Sequence, residues 1–163
     1  MTVVVQEKQL GTAHALACAQ EHLTEDFLVL PGDNWIDATS VARIAGTQNA
    51  MLVKEHSHPA NFGVVRIKDG MVTHIIEKPD VAPTHTVSTG VLSLTQDFFR
   101  HVTTPEIPDA LMSMIGDGIP FRAIVAEQWH DALVPWDLLH MNALLLQGIS
   151  SRREGTIHRG AIL

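Results

Sequence analysis

Cysteine is almost absent from this sequence, since Cys18 is the only one among 163 residues. A single cysteine cannot form a disulfide within the chain, so a fold held together by internal disulfide bonds is excluded. Cys18 lies in an alanine-rich segment, and we interpret it as a small buried apolar residue. This cysteine usage fits a reducing compartment, and we expect a cytoplasmic location.

Basic residues are also scarce, because 11 lysines and arginines stand against 18 aspartates and glutamates, for a formal charge of −7. A nucleic-acid binder normally presents a basic face, so we expect no nucleic-acid partner. No apolar run reaches the length of a membrane span and no charged-then-apolar leader is seen, so we expect neither a membrane span nor a signal peptide. The apolar content of 45% predicts one principal domain with a sizeable core.

Residues 28–33 read Leu-Val-Leu-Pro-Gly-Asp, which is a β-type apolar run followed by a turn that leaves Asp33 at the strand's carboxyl end. In open α/β sheets, ligands and metals bind at such ends, so Asp33 is the first candidate for chemistry. The alternative interpretation is that Asp33 serves only as a turn or helix-cap residue.

Upstream, residues 3–6 read Val-Val-Val-Gln and predict a buried strand. A helix is predicted from Thr12 through Leu23, with Thr12 as its N-cap and Gly11 allowing close approach of a ligand. The free N–H groups at this helix start would suit an anion or a nucleobase carbonyl. The alternative is that Gly11 and Thr12 only turn the chain and cap the helix.

Downstream, residues 61–67 and 71–79 are β-type runs around an Asp-Gly pair, which predicts a hairpin. The hairpin brings Glu77 and Lys78 to a strand end, where Pro79 stops further pairing. A third strand is predicted over residues 86–94. Gly90 in its middle indicates close approach by a ligand or by another part of the backbone.

Two later helices are predicted, over residues 109–118 and 135–147. The first is a short amphipathic helix that we interpret as structural, and the second should end at Gly148. Ten histidines, including His56 and His58, raise the question of a transition-metal site. No third histidine or cysteine follows at zinc-site spacing, which favours surface positions for most of them.

Six motifs follow one another along the chain: Gln-x-x-Gln-Leu-Gly-Thr-Ala-His-Ala, Val-Leu-Pro-Gly-Asp, Asn-Phe-Gly-Val-Val, Ile-Ile-Glu-Lys-Pro, Ser-Thr-Gly and Val-Pro-Trp-Asp-Leu-Leu. In this order the chain resembles the sugar-1-phosphate nucleotidyltransferases over residues 3–163. It is most similar to the archaeal-type glucose-1-phosphate thymidylyltransferases and N-acetylglucosamine-1-phosphate uridylyltransferases. The resemblance implies a Rossmann-like α/β fold, with a mixed, mostly parallel sheet flanked by helices and truncated at its N-terminal side.

The resemblance also implies transfer of a nucleotidyl group from UTP or dTTP to a sugar 1-phosphate, with release of pyrophosphate and with Mg²⁺ as cofactor. Glutamine amides suit the amide edge of a pyrimidine, and Mg²⁺ favours few carboxylates plus phosphate oxygens. The implied residues are Gln6, Gln9, Gly11 and Thr12 for the nucleotide, Gly63, Glu77, Ser88 and Thr89 for the sugar, Lys78 for the sugar phosphate, and Asp33 and Asp137 for the metal. Asp33, Asp137 and Lys78 would be the catalytic set.

Two of these assignments have alternatives. Asp137 could be a helix N-cap, and Lys78 could be a solvated lysine at a strand end. The residues leave open which sugar is used and whether the base is uracil or thymine, although Gln6 and Gln9 favour a pyrimidine over a purine.

The family's glycine-rich loop, Gly-Gly-x-Gly-Thr-Arg, and a following Pro-Lys pair have no counterpart in this chain. We therefore expect the isolated chain to catalyse poorly, and to need a complementing N-terminal chain or self-association to cover its open sheet edges. Residues 1–148 are predicted as a partial nucleotidyltransferase domain. Residues 149–163 are predicted as a linker and the start of a left-handed β-helix, whose coils need stacked copies.

A hypothesis from another class is a non-catalytic subunit that binds a nucleotide sugar or pairs with a separate chain. A neighbouring reading frame that encodes the glycine-rich loop would favour a split enzyme. Its absence would favour a regulatory or interaction module.

Overall fold

The computed structural model describes residues 1–132 and 134–149. Within these residues the chain forms eight strands and four α-helices, with short 3₁₀ turns at Gln20–His22, Pro59–Asn61 and Gln96–His101. The strands are β1 (Phe27–Val29), β2 (Asn34–Ile36), β3 (Ala50–Glu55), β4 (Gly63–Lys68), β5 (Met71–Glu77), β6 (Thr86–Leu94), β7 (Arg122–Val125) and β8 (Trp129–Asp131). The helices are α1 (Thr12–Cys18), α2 (Ala38–Ala45), α3 (Ile107–Gly116) and α4 (Asp137–Gln147).

Six strands form one sheet in the order β1-β6-β3-β7-β5-β4, and β2 pairs with β8 in a separate two-stranded ribbon. This mixed sheet flanked by helices confirms the predicted α/β class. The balance of strand directions differs from the expected mostly parallel sheet, because among the described strands only β3 and β7 pair in parallel. Antiparallel neighbours need only short connections, and β4 pairs in that way with β5 and with β6.

The β4–β5 hairpin was predicted correctly. Gly63 pairs with Glu77 at its open end. The turn has positive φ at both central residues, 52° at Asp69 and 77° at Gly70. Two left-handed residues match the type I′ turn, whose twist suits the flanking strands and for which Asp-Gly is a favoured pair.

The hydrophobic core lies on both faces of the sheet. One face is covered by α1, α3 and the turn at Gln96–His101, and its fully buried side chains include Met51, Leu94, Phe98 and Phe121. The other face is covered by α2 and β8, with Ile44, Leu52, Val87 and Trp129 inside. Strand β6 contributes to both clusters, with Leu92 and Leu94 on one face and Val87 and Val91 on the other, so it is buried on two sides.

Residues 3–6 do not form the predicted buried strand. Val3 and Val5 are exposed, and the segment pairs with no strand among the described residues. An extended run becomes a strand only when a neighbour accepts and donates its backbone hydrogen bonds. The apolar run was therefore insufficient evidence for a strand.

Helix α1 is shorter than predicted. It ends at Cys18, and a 3₁₀ turn carries the chain on to His22. Gly11, and not Thr12, occupies its N-cap position. Cys18 is half-buried, with Sγ 3.9 Å from Nδ1 of His14, so it is less enclosed than predicted.

The two later helices confirm their predictions with small shifts at the ends. Helix α3 spans Ile107–Gly116, and α4 spans Asp137–Gln147 before Gly148. Each described helix falls short of the length and apolar character that crossing a bilayer requires. The predicted β-helix coil falls on residues 150–163, outside the described residues, so it and the domain boundary at 148 stay predictions.

Candidate active site

A cavity of about 400 Å³ is bounded by α1, α3 and the sheet. Its volume lies in the range of about 300–1,000 Å³ that is usual for small-molecule sites. Four residues predicted from the sequence to bind substrate line it, namely Thr12, Gly63, Glu77 and Ser88. They belong to α1, β4, β5 and β6, so the fold gathers them from four separate elements.

Gly63 makes room for the carboxylate of Glu77. The two residues are cross-strand partners in the hairpin. A Cβ on Gly63 would lie 3.0 Å from Oε2 of Glu77 and 3.7 Å from Cγ2 of Ile75, so a larger residue would crowd the carboxylate. The Glu77 oxygens can therefore accept hydrogen bonds from donors that enter the cavity.

Lys78 adopts a left-handed conformation, with φ 40°, which is uncommon outside glycine. Its N–H donates to the carbonyl of Phe62 at 3.1 Å, and its Nζ lies 4.0 Å from Oε1 of Glu77. Both side chains are exposed, so this ion pair contributes little stability. Lys78 is not part of the cavity lining but follows Glu77 directly.

Ser88 and Thr89 have different environments, as neighbours in a strand usually do. Ser88 lines the cavity, and its hydroxyl accepts a hydrogen bond from the N–H of Gly90 at 3.2 Å. Thr89 is 2% exposed and donates its hydroxyl to the carbonyl of Leu52 at 3.0 Å. Of this predicted pair, the structure brings only Ser88 to the cavity.

Gly90 is approached closely, as predicted, and the approaching group is the ring of Pro31. Gly90 has φ 78°, and a Cβ there would lie 2.7 Å from Cγ of Pro31. Pro31 also lines the cavity and stands two residues before Asp33. The contact therefore fixes the turn that carries Asp33 against β6.

The start of α1 is joined to the loop before α3. The N–H groups of Ala13 and His14 donate to the carbonyl of Pro105 at 2.8 and 3.2 Å. A Cβ on Gly11 would lie 2.5 Å from the same oxygen, so glycine permits this contact. Pro105 therefore occupies two of the N–H groups at this helix start, and the binding of an anion or a base there stays a prediction.

Thr12 also connects the two helices. Its hydroxyl donates to Oε2 of Glu106 at 3.1 Å and accepts from the N–H of Ile107 at 3.0 Å. Ile107 is the first residue of α3, so Thr12 caps α3 and not its own helix. Glu106 lines the cavity as well, and sequence reasoning missed it because its partner is 94 residues away.

The predicted base-binding glutamines lie in the loop before α1. Gln6 donates from Nε2 to the carbonyl of Gly11 at 3.0 Å, and Nε2 lies 2.8 Å from Nδ1 of His14. Gln9 is exposed. Neither glutamine belongs to the cavity lining, so Gln6 at present shapes the loop and Gln9 faces solvent.

A carboxylate that the sequence prediction missed lies beside Asp33. The carbonyl of Asp33 accepts a hydrogen bond from the N–H of Ala132 at 3.0 Å, and the next residue, Asn34, pairs with Asp131. Oδ2 of Asp131 is buried and has no hydrogen-bond partner among the described residues. An unpaired buried carboxylate oxygen is costly, so Asp131 is suited to a ligand.

Asp137 is the first residue of α4 and not its N-cap, which is Trp136. Its Oδ2 accepts a hydrogen bond from the N–H of Val134 at 2.9 Å, at the start of α4. It also borders a second cavity of about 240 Å³. The lining of that cavity is His56, Trp129, His130, Asp131, Asp137, His140 and Met141.

The Nucleotidyl transferase family model matches residues 1–147. The chain belongs to the nucleotidyl transferase family. This finding confirms the resemblance drawn from the six motifs, and it agrees with the mixed α/β fold.

Curated relatives extend the likeness. The chain is 33% identical to the bifunctional protein GlmU of Methanococcus maripaludis over 94% of its own length and 40% of the relative's. It is 31% identical to the low-salt glycan biosynthesis nucleotidyltransferase Agl11 of Haloferax volcanii, over 96% of its length and 48% of the relative's. The chain thus spans less than half the length of these two relatives.

Solved structures share the fold. One is a Bacillus anthracis protein described as a glucose-1-phosphate thymidylyltransferase, with a TM-score of 0.74 and 23% identity over 91% of this chain and 66% of that one. Another is the UTP-bound UGPase of Acinetobacter baumannii, with a TM-score of 0.71 and 20% identity over 88% and 59%. At these identities the likeness concerns the fold.

Nucleotidyltransferases generally use a divalent metal, and the carboxylates near β2 fit such an ion. Among residues 1–132 and 134–149, no group of three or more His, Cys, Asp or Glu side chains is arranged to hold a metal. Mg²⁺ needs fewer protein ligands than three, because it is usually held by one or two carboxylates together with phosphate oxygens. Asp33 directly precedes β2, and Asp131, which has an unpaired buried oxygen, pairs with the next residue, Asn34, so the two candidates are neighbours in backbone position.

The pKa of His130, which lines the second cavity, is lowered by its surroundings. Burial, and next the nearby His140, lower the pKa of His130 below 6.5, while Asp131 opposes the shift. The centroids of the His130 and His140 rings are 6.0 Å apart. This shift favours the neutral form of the His130 ring.

Proposed function

We propose that this chain provides the sugar-binding and metal-binding part of an enzyme that transfers a nucleotidyl group to a sugar 1-phosphate. The donor is a pyrimidine nucleoside triphosphate, UTP or dTTP. The observation that carries the proposal is the convergence of Thr12, Gly63, Glu77 and Ser88 on one cavity. AglF of Haloferax volcanii, which is named a UTP–glucose-1-phosphate uridylyltransferase and is 32% identical over 79% of this chain, supports the substrate class.

Substrate binding would divide among three groups of residues. Glu77 and Ser88 would hydrogen-bond the sugar hydroxyls in the cavity, and Lys78, which follows Glu77, would neutralise the sugar phosphate. The exposed amide of Gln9 would meet the base, and Gln6 would hold that loop in shape. Thr89 would support the site from the core through its bond to Leu52.

Asp33 and a second aspartate would hold Mg²⁺, which supplies charge neutralisation to the phosphate oxygens. Two aspartates compete for the second position. Asp131 pairs with the residue next to Asp33 and has an unpaired buried oxygen. Asp137, the aspartate of the sequence motif, already accepts a hydrogen bond from Val134, and we therefore favour Asp131.

The reaction itself would be an in-line displacement. An oxygen of the sugar phosphate forms a bond to the α-phosphorus of the nucleotide, and the bond from that phosphorus to the bridging oxygen breaks, so that pyrophosphate leaves. The protein contributes positioning and charge neutralisation, and no covalent intermediate is needed.

The test is calorimetric titration of the purified chain with UDP-glucose and with dTDP-glucose in the presence of Mg²⁺. We expect saturable binding that the Glu77→Gln substitution weakens by about tenfold or more, because a hydrogen bond to a charged group is lost. Glu25→Gln is the matched control, since Glu25 is also exposed but lies outside the cavity lining. No saturable binding by a chain that unfolds cooperatively would contradict the proposal.

The metal assignment is tested separately, by the Mg²⁺ dependence of the same titration. Asp33→Asn and Asp131→Asn should each reduce the effect of Mg²⁺ on binding. Asp137→Asn should leave that effect largely intact and lower the thermal unfolding midpoint of the chain, because the hydrogen bond to Val134 before α4 is weakened. If Asp137→Asn reduced the effect of Mg²⁺ and Asp131→Asn did not, Asp137 would be the second metal ligand and Asp131 would not.

A further inference from the structure

The two-stranded ribbon beside the candidate metal ligands has no hairpin turn to set its register. Strands β2 and β8 have three residues each, and the residues that follow β2 and precede β8, Asp37 and Gln128, are 91 positions apart in the chain. A slip of one residue between paired strands turns every side chain to the other face. Another device must therefore keep Asp131 opposite Asn34, and so beside Asp33.

The loop of residues 126–128, which joins β7 to β8, is bonded at each of its backbone polar groups. The N–H of Ala126 donates to the carbonyl of Val53 at 2.9 Å. The carbonyls of Ala126 and Glu127 accept hydrogen bonds from Nζ of Lys54 at 3.0 and 2.6 Å. Three of the six groups are thus held by β3.

The other three groups of this loop bond to the start of α2. The N–H of Glu127 donates to the hydroxyl of Ser40 at 2.9 Å, and Ser40 is 0% exposed. The N–H of Gln128 donates to Oδ2 of Asp37 at 2.9 Å, and the carbonyl of Gln128 accepts from the N–H of Asp37 at 3.4 Å. The chain is therefore tied to both β3 and α2 before it enters β8.

Lys54 supplies the side-chain link between this loop and the main sheet. On β3, Ala50 and Leu52 point to the face that α2 and β8 cover, and Lys54 follows them in the alternation of the strand. Its side chain is half-buried and uses two of its three ammonium donors on the loop carbonyls. Hydrogen bonds from a charged donor are stronger than neutral ones, so this link is a firm one.

We infer that Lys54 is a positioning residue for the metal site. By holding the 126–128 loop it fixes the register of the ribbon, and with it the place of Asp131 beside Asp33. This inference rests on the proposed function, because it takes these aspartates to hold Mg²⁺.

The positioning effect of Lys54 and the effect of its charge have opposite signs. An ammonium group repels a cation, so loss of the charge alone would strengthen Mg²⁺ binding. Loss of the two loop bonds would weaken it, because the ribbon would no longer hold Asp131 in one place. The direction of the change therefore identifies which effect is present.

The first measurement is amide hydrogen exchange of the chain without metal or nucleotide. Lys54→Met removes both bonds to the loop and keeps an apolar stem. We expect faster exchange than in the wild type over residues 34–36 and 126–131, and unchanged exchange in β6. Lys68→Met makes the same chemical change at an exposed position of β4 and should leave the exchange of the ribbon unchanged.

The second measurement is the Mg²⁺ concentration that gives half of the metal's effect on nucleotide-sugar binding. We expect Lys54→Met to raise it about tenfold, as is usual when a group that orients a metal ligand is removed. Affinity for the nucleotide sugar without Mg²⁺ should stay nearly unchanged. Lys54→Arg should restore much of the loss, because a guanidinium also donates to carbonyls.

Thermal unfolding confirms that each variant is folded. Lys54→Gln, with a shorter polar side chain, is measured in parallel, so that the comparison stands if Lys54→Met does not fold.

The negative outcomes have different meanings. Ribbon exchange as slow in Lys54→Met as in the wild type would overturn the inference, and so would faster exchange with an unchanged or tighter response to Mg²⁺. The proposed function would stand in both cases if the wild type binds the nucleotide sugar in a Mg²⁺-dependent way. Binding with no Mg²⁺ effect in the wild type would overturn the metal part of the proposed function, and no binding by the folded chain would overturn all of it. The inference would fail with either.

Discussion

The cavity region and the α4 end of the molecule differ in how firmly their side chains are held. In the core cluster that supplies Met51 and Leu111 to the cavity lining, Phe98 and Phe121 are 0% and 1% exposed. In α4, no residue with a described side chain is buried, and Leu138 and Leu139 are 58% and 74% exposed. The cavity is therefore part of the packed core, whereas α4 depends on a few contacts within the described residues.

This difference separates the two halves of the candidate site. The residues that we propose to bind the sugar lie on strands β4, β5 and β6 of the main sheet. Of the candidate metal ligands, Asp33 directly precedes β2, Asp131 ends β8 and Asp137 begins α4. We therefore expect sugar recognition to tolerate changes in α4, and metal binding to be sensitive to them.

The largest expected effect is a loss of stability when a large side chain is removed from this core cluster. Phe98→Ala should lower the free energy of unfolding by about 3–5 kcal/mol, because a large side chain leaves a fully buried position. Leu139→Ala, at an exposed position of α4, should change it by less than about 0.5 kcal/mol. Urea denaturation of the two variants measures both values, and similar losses would remove the contrast between the regions.

A smaller effect is expected at the contact that fixes the turn before Asp33. Gly90→Ala should cost about 1–3 kcal/mol, because alanine is strained at φ 78° and its Cβ would lie 2.7 Å from Pro31. Gly46→Ala is the control, since Gly46 has φ −87° and its nearest neighbour for a Cβ is 4.0 Å away. That variant should be neutral or slightly stabilised, and equal losses in both would contradict the account of Gly90.

Asp37 connects α2 with the segment that enters the ribbon, and it should make stability depend on pH. Its carboxylate accepts hydrogen bonds from the N–H and hydroxyl of Ser40 at 2.8 and 2.6 Å and from the N–H of Gln128 at 2.9 Å. Burial acts to raise the pKa of Asp37, but these hydrogen bonds together hold it below 3.8. Asp37→Ala should cost about 1 kcal/mol at neutral pH, as for other N-cap residues.

The sign of the pH effect follows from the lowered pKa. Stability from Asp37 is fully present above the unfolded-state value of 3.8 and is lost as the pH falls through the lower folded-state value. The difference in unfolding midpoint between wild type and Asp37→Ala should therefore be constant from pH 7 to about pH 5 and shrink below pH 4. A difference that grows on acidification would contradict the assignment.

Local signals in the sequence predicted much of the fold. The Asp69-Gly70 turn, the strand over residues 86–94 and the stop of α4 at Gly148 each depend on short-range chemistry that the sequence displays. The run at residues 3–6 misled, because an apolar run does not reveal whether a neighbouring strand exists to pair with it. The sequence likewise does not reveal whether paired strands run parallel or antiparallel, because that depends on the topology of the whole sheet.

The sequence predicted site residues whose role follows from their own residue type. It missed residues whose role depends on a contact with a distant segment of the chain. Gly63, Glu77 and Ser88 were placed by motif and reach the cavity. Glu106 escaped notice because its contact with Thr12 joins distant segments, and Thr12 was given a capping role in the wrong helix. Asp131 could have been found from the pattern Trp-His-Asp at the end of a short β-type run.

At Lys78, the residue type that best suits the backbone differs from the one proposed to serve ligand binding. Its left-handed backbone, with φ 40°, costs on the order of 1 kcal/mol each time the chain folds, and glycine would avoid that cost. The Lys78→Gly variant should therefore unfold at a higher urea concentration than the wild type and bind a nucleotide sugar less tightly. Under the proposed function, a lysine at a position that suits glycine is where this chain gives up some stability for a positive charge near the sugar phosphate.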